Sequence, residues 1–353
     1  MSKTPVVIYG AGGYGGVGLV ENLLQHPNVE ITALVSREGA GEAYTKLYPH
    51  LKGRIDLNVE HAESFEPKGR GAFVFFSTPD GVGQTLAPTY LQHGYKVIDF
   101  SGDFRFNSPD LFKAYSAWQQ GEMDHLCPEL LSQSVYGSPE WNRKALSTAN
   151  IVGNPGCMAI SCLMALYPAI LSQEVLLEQI VLDVKTGISG AGKKPSASFH
   201  FPAADGNAFA YKIGQHQHLY EIEKHIELWS GKNVAVNFTP HVIPLTRGIL
   251  STCTLKLKPD ANPQKMIQAY HNQYDKEPFV DIDSTGIKID LSQVRGSNLC
   301  KLSVNYIERT HSLVIVSIID NLQKGQSGNA IQVMNCMLGL DETTGLDVIP
   351  RYP

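Results

Sequence analysis

The sequence predicts an α/β protein in two parts, a doubly wound parallel sheet followed by a domain on an antiparallel or mixed sheet. Three observations carry this. A glycine-rich turn joins the first apolar run to a helical pattern. Strand-like and helix-like stretches alternate over the first hundred residues. After Pro155-Gly156 the texture changes to long strand-like segments separated by Gly-rich or Pro-rich loops. A length of 353 residues, set against a usual domain size of ~150, also argues for two domains. The division is expected near residue 153.

The elements follow in order. Val6 to Tyr9 is a short apolar run, as a fully buried parallel strand requires. Gly10-Ala11-Gly12-Gly13-Tyr14-Gly15-Gly16 follows it. Val17, Val20, Leu23 and Leu24 then recur at helical spacing, up to His26. Ile31 to Val35 and Phe73 to Phe76 read as strands. A helix over Val82 to Leu91 and a strand over Val97 to Phe100 complete the alternation. A further helix is expected to start at Cys157 and stop near Pro168, because a proline interrupts the helical ladder. Val181 to Thr186, Val234 to Thr239, Ile249 to Leu257 and Leu313 to Ile319 read as strands, and Gly328 to Leu338 as the last helix.

The bulk numbers bound the function. A net charge of -5 without long blocks of one sign argues against nucleic acid as a partner. The longest apolar run, near Leu313 to Ile319, is too short to span a membrane. The segment at Val6 reads as a strand rather than a leader. Six scattered cysteines with no Cys-x-x-Cys pair fit free thiols in a reducing compartment, so a cytoplasmic location is expected.

Gly10, Gly13 and Gly16 stand between a strand and a helix. There they permit a tight turn and close approach of a pyrophosphate to the helix N-terminus. The second strand ends in Val35-Ser36-Arg37, where NAD-specific sites usually carry an acidic residue. A hydroxyl and a guanidinium suit a 2′-phosphate instead, which favours NADP over NAD; Glu38 next door and an ordinary solvated role for Arg37 weigh against this.

Gly153-Asn154-Pro155-Gly156 is a turn that places Cys157 at the start of a helix, where the thiolate is favoured. Cys162, one turn on, reads as a core residue. In Gly214-Gln215-His216-Gln217-His218-Leu219-Tyr220-Glu221, His218 and Glu221 are three apart and share a helical face. Either His216 or His218 has the chemistry of an acid/base, and the neighbouring Glu221 favours His218. A zinc reading of His-x-His lacks a third ligand, so no metal is expected. The loop Ser189-Gly190-Ala191-Gly192-Lys193-Lys194 reads as a phosphate cradle or as a solvated loop. Arg105 and Arg247 read as carboxylate clamps or as structural ion-pair partners.

Taken together these motifs resemble the N-acetyl-γ-glutamyl-phosphate reductases, relatives of aspartate-semialdehyde dehydrogenase. The resemblance rests on GAGGYGG at Gly10, DFSGDFR at Asp99, VYGSPEWNR at Val135, GNPGC at Gly153, TGISGAGK at Thr186, HQHLYEI at His216, FTPHVIPLTRGIL at Phe238 and DNLQKGQSGNAIQ at Asp320. It implies a Rossmann NADP-binding domain over 1–153, to which the C-terminal stretch 325–353 returns. It also implies a glyceraldehyde-phosphate-dehydrogenase-like α+β domain over 154–324 for substrate and dimerisation. The implied chemistry is NADPH-dependent reduction of an acyl phosphate through a Cys157 thioester, with His218 and Glu221 as the acid/base pair. Tyr14, Ser189, Gly190 and Asn321 are then placed with Gly10, Gly13, Gly16, Ser36 and Arg37 at the cofactor. Arg105, Asn154, His216, Lys193 and Arg247 are placed at a small-molecule substrate. A homodimer or homotetramer is also implied.

The sequence departs from the family pattern at Gln217, where Arg is usual, at Met158 after the nucleophile, at Gly18, where Glu is frequent, and at Asp80, where His is frequent. Competing readings are reduction of a carrier-linked aminoadipyl phosphate, reduction of aspartyl phosphate, and a non-catalytic NADP-binding regulator. The regulator would need no nucleophile at a helix start.

Overall fold

The computed structural model describes residues 2–121, 123–283 and 288–352. It divides into two units, Met1–Pro155 with Gln326–Asp347, and Gly156–Gly325 with Val348–Pro353. The chain end therefore groups differently from the expected 325–353: the Arg351 amide donates to the Arg295 carbonyl at 2.9 Å, within the second unit.

In the first unit the strands are β1 (Thr4–Tyr9), β2 (Val29–Ser36), β3 (Val59–His61), β4 (Phe73–Phe76), β5 (Lys96–Asp99), β6 (Ser134–Tyr136) and β7 (Ile151–Gly153). They form a parallel sheet in the order β3-β2-β1-β4-β5-β7-β6. Val6, Val7, Ile8 and Phe73 to Phe76 are buried, as apolar runs covered on both faces must be. The order reverses between β1 and β4, and at such a switch point a crevice opens beyond the carboxyl ends of the strands. The glycine turn after Tyr9 lies there. The next crossover helix, Val82–Gln92, contains Pro88, which supplies no N–H to the Gln84 carbonyl. The Cys127 thiol donates to that carbonyl instead, at 3.2 Å.

In the second unit the strands are β8 (Val175–Thr186), β9 (Phe209–Ala210), β10 (Asn237–Val242), β11 (Ile249–Leu257), β12 (Val280–Asp283), β13 (Cys300–Ile307) and β14 (Ser312–Ile319). Their order is β12-β13-β14-β11-β8-β10-β9, with antiparallel pairing except at β12-β13 and β8-β10. β11 alternates between buried and half-buried residues along its length, as a sheet with one covered face requires. The cover is the helix Cys157–Leu171, flanked by the helices Gln217–Ser230 and Pro263–Tyr274. The Cys157 helix is apolar nearly all round and buried nearly all round.

That helix runs on to Leu171 instead of stopping at Pro168. The Met164 carbonyl, which the residue-168 N–H would normally serve, accepts the Tyr274 hydroxyl at 2.8 Å. With the orphaned acceptor satisfied, the proline costs the helix less than its sequence signal implies.

Candidate active site

The nucleotide turn is built from contacts that admit no side chain. Gly10 has φ +89°, and a Cβ there would lie 2.2 Å from the Ser77 carbonyl oxygen. A Cβ at Gly16 would lie 2.5 Å from the Gly10 carbonyl oxygen, and one at Gly12 2.8 Å from Ser36 Oγ. Gly13 opens the helix Tyr14–Leu23 with no side chain capping it, which leaves the first-turn amides to an outside acceptor. Two tyrosines steady the turn. The Tyr44 hydroxyl donates to the Ala11 carbonyl at 2.9 Å and the Tyr48 hydroxyl to the Gly12 carbonyl at 2.8 Å. Sequence reasoning missed both tyrosines; their four-residue spacing was the available signal.

Ser36 ends β2 and accepts the Glu38 amide at 3.1 Å. Arg37 is exposed, with its guanidinium 3.7 Å from the equally exposed Glu63 carboxylate. An exposed pair of this kind binds weakly and leaves the guanidinium available to an incoming anion.

Two predicted substrate residues of the first unit hold backbone. Arg105 donates to the Asn154 carbonyl at 2.8 Å and to the Phe100 carbonyl at 2.7 Å. Asn154 is buried; its amide nitrogen donates to the Gln326 carbonyl and its oxygen accepts from Asn329. These contacts tie the ends of β5 and β7 to the helix Gly328–Leu338. Asp80, one of the departures from the family pattern, accepts the Gly102 amide at 2.8 Å and the Gln119 side chain at 3.0 Å. It thus braces the turn beyond β5.

In the second unit Cys157 is the first residue of its helix, with Gly156 as an N-cap that offers no side-chain bond. It is the partly accessible thiol of the six; the other five are buried. Burial pushes the Cys127 and Cys336 thiols up to about 12, which suppresses their thiolates.

A second helix, Gln217–Ser230, packs against the Cys157 helix. His216 caps it, its ring accepting the His218 amide at 3.1 Å. A Cβ at Gly156 would lie 2.3 Å from His218 Nε2, so the imidazole rests on the peptide unit just before Cys157. Glu221 is fully buried, and its carboxylate accepts the Gly156 amide at 3.0 Å. It therefore holds the cap residue of the Cys157 helix. Beside Cys157, a Cβ at Gly325 would lie 2.8 Å from Cys157 Cβ. Sequence reasoning missed Gly156 and Gly325 as packing requirements, because these contacts link positions far apart in the chain. Burial and the nearby Lys212 charge lower His216 to about 4, so its ring is neutral at working pH. Gln217 accepts the Lys212 ammonium at 3.4 Å, which places a cation beside the position where the family pattern carries Arg.

Asn321 joins two loops. Its amide nitrogen donates to Ser189 Oγ at 3.0 Å and its oxygen accepts the Gly248 amide at 2.7 Å. Ser189 and Gly190 lie in the short helical turn Ile188–Ala191, with Lys193 shortly after it. Arg247 is half-buried, 3.7 Å from the fully buried Asp320, whose carboxylate also accepts the Gly296 and Leu322 amides.

Comparison with known proteins follows this division. Residues 5–149 match the semialdehyde dehydrogenase NAD binding domain, and residues 157–321 the semialdehyde dehydrogenase dimerisation domain. N-acetyl-gamma-glutamyl-phosphate reductase of Bacillus mycoides is 39% identical over 99% of this chain and 99% of its own. The Bacillus cereus protein of the same name is 39% identical over 98% of this chain and 99% of its own. The crystal structure of aspartate semialdehyde dehydrogenase II from Vibrio cholerae, complexed with ASA, aligns with TM-score 0.71 at 17% identity, covering 96% of this chain and 99% of that one. Aspartate semialdehyde dehydrogenase of Candida albicans, with NADP, aligns with TM-score 0.70 at 14% identity over 96% and 99% of the two chains. These two structures share the fold. The chain belongs to the semialdehyde dehydrogenase family, and within it stands with the N-acetyl-γ-glutamyl-phosphate reductases.

Proposed function

We propose that this chain reduces N-acetyl-γ-glutamyl phosphate to N-acetylglutamate semialdehyde with release of phosphate, using NADPH, as a step of arginine biosynthesis. The observation that carries it is Cys157 at an uncapped helix N-terminus, with His218 against the preceding peptide. We assign nucleotide binding to the first unit and acyl chemistry to the second.

The first unit fits the cofactor. The Gly10 to Gly16 turn leaves room for a pyrophosphate against uncapped amides, and Ser36 and the exposed Arg37 suit a 2′-phosphate. When bound, NADPH supplies the two electrons that convert the thioester to the aldehyde.

The Cys157 thiolate attacks the acyl carbon, and phosphate leaves to give a thioester. The Cys157 amide, at the helix start, is a donor for the oxyanion that forms. His218 supplies the proton that the second oxyanion needs and takes it back as the thiohemiacetal breaks its C–S bond, which releases aldehyde and thiolate. Glu221 fixes the Gly156 peptide and with it the helix start. In this reading Tyr14, Ser189 and Gly190 line the cofactor and Arg105, His216, Lys193 and Arg247 serve the substrate, while Asn321 and Asn154 act on the two ligands through the segments they hold. The contacts of Asn154 and Asn321 fit support of neighbouring backbone.

We also propose a homodimer or homotetramer, supported by the match of the second unit to a dimerisation domain. A cytoplasmic location is supported by six free thiols. Among the described residues no helix is long and apolar enough to cross a membrane.

The test is the reverse reaction, phosphate-dependent reduction of NADP by N-acetylglutamate semialdehyde. Turnover that is abolished in Cys157→Ser, with NADPH binding retained, supports the reading. Turnover retained in Cys157→Ser sinks the thioester route.

A further inference from the structure

The helices Cys157–Leu171 and Gln217–Ser230 run side by side from a common start, where His218 meets the Gly156 peptide, to a common end. Near that end the Tyr167 and Trp229 rings meet edge to face at 4.7 Å. A cavity of about 560 Å³ opens there, lined by Ile170 of the first helix, Ser230 of the second and the start of β8. A helix rises ~1.5 Å per residue, which sets Ile170 about 20 Å from Cys157. The volume suits a small organic molecule.

The wall of this cavity offers both signs of charge. Lys232 and Lys258 bring ammonium groups, Glu178 a carboxylate, and Gln173 and Asn233 amides. Among the described residues none of these five side chains is committed to a hydrogen bond or an ion pair. The two helix ends add carbonyl groups with partial negative charge. Ile170, Val175 and Val234 are buried and make the wall apolar between the charges. Gln173 carries the chain from the first helix into β8 with φ +59°, a left-handed backbone that glutamine rarely adopts. Strain of this kind collects at ligand clamps. Among the described residues no histidine or cysteine lines the cavity, so its chemistry is that of binding.

We propose that this cavity is a binding site for a free α-amino acid with an apolar side chain, separate from the site at Cys157. Cations and an anion that face one space without pairing to each other match a ligand that carries both charges. Lys232 and Lys258 take the carboxylate. Glu178 and the helix-end carbonyls take the ammonium group, and Ile170, Val175 and Val234 take the side chain. The inference does not depend on the reaction proposed above.

The test is isothermal titration calorimetry of the full chain with three probes of matched length, L-norleucine, hexanoate and hexylamine. Norleucine alone engages both signs of charge, and it should bind about tenfold tighter than either of the others, the worth of one charged contact. Lys232→Met with Lys258→Met keeps the apolar stems and removes both ammonium groups. It should weaken norleucine about tenfold and leave hexylamine unchanged. Glu178→Gln should weaken norleucine and hexylamine and leave hexanoate unchanged. Cys157→Ser should bind norleucine as the parent chain does. No norleucine binding, equal binding of the three probes, or norleucine affinity untouched by the lysine pair overturns the proposal. Loss of norleucine binding in Cys157→Ser also overturns it, by placing the amino acid at the helix start. The comparison of probes needs no variant, so a variant that fails to fold does not decide the outcome. Turnover is not measured, so failure here leaves the proposed reaction standing, and failure of that reaction leaves this site standing.

Discussion

At Gly156 the missing side chain lets an imidazole rest on the peptide unit before Cys157. An alanine there would drive its Cβ into His218 Nε2 and toward the Glu221 carboxylate. Gly156→Ala is expected to lower kcat/KM by about 100-fold, as misplacement near 1 Å does, with NADPH affinity unchanged by fluorescence titration. At the other ligand, Arg37→Ala should weaken NADPH binding by about ten- to a hundredfold while leaving NADH binding nearly unaltered, as loss of a charge-assisted contact predicts. Equal losses for both nucleotides would remove Arg37 from the 2′-phosphate. The placement of Cys157 and His218 in the first turns of their helices was legible in the sequence because turn chemistry and helical spacing are local. Gly325 and the Tyr44 and Tyr48 props were not, since each acts on a residue brought near only by the fold. Asn154 was read as a substrate ligand from its motif. The structure shows its side chain bonded to Gln326 and Asn329, contacts that no local pattern reveals.

Among the elements, the Cys157 helix shows how a local stop signal loses to tertiary contact. Pro168 marked its end in the sequence, but Tyr274 from another helix satisfies the carbonyl that Pro168 abandons. Tyr274→Phe is therefore expected to cost about 1–3 kcal/mol by urea unfolding, the penalty of an unsatisfied buried acceptor. In a Pro168→Ala background, where residue 168 regains an N–H, the cost should shrink by about 1 kcal/mol. Strict additivity of the two changes would refute the rescue. β11 was read over Ile249 to Leu257 as observed, since its alternation is regular. β8 begins at Val175, six residues before the expected Val181, because Glu178 and Gln179 interrupt its apolar pattern on the exposed side. β10 runs Asn237–Val242 rather than Val234 to Thr239, its register being set by parallel pairing with β8.

Across the molecule, two sets of buried ionisable groups pull stability in opposite directions with pH. Burial lowers His26, His125, His216 and His225, so the native state leaves them neutral where the unfolded chain takes up protons. Their contribution is complete above pH ~6.5 and is lost as pH falls. Asp99 is raised by burial and by the neighbouring Asp103 charge, so it holds a proton that the unfolded chain has released; its contribution is lost as pH rises. Asp99→Asn should thus raise stability at neutral pH. It should also steepen the acid-side decline, which each still-neutral histidine sets at about 1.4 kcal/mol per pH unit. Urea midpoints from pH 4 to 8 would show this, and a flatter curve in the variant would contradict it. For assembly, Val181 is 42% exposed and lies opposite Thr254 on the face of the second sheet away from the Cys157 helix. If a second copy covers that face, Val181→Glu should lower the sedimentation-derived mass toward that of one chain. The Cys157 surroundings have a consequence for biogenesis. The groups packed around Cys157 come from residues 156, 218 to 221 and 325, so a nascent or refolding chain presents only an ordinary thiol there. Its reactivity should appear late and all at once, which makes timed labelling of this one sulfur a stopwatch for maturation of the second unit.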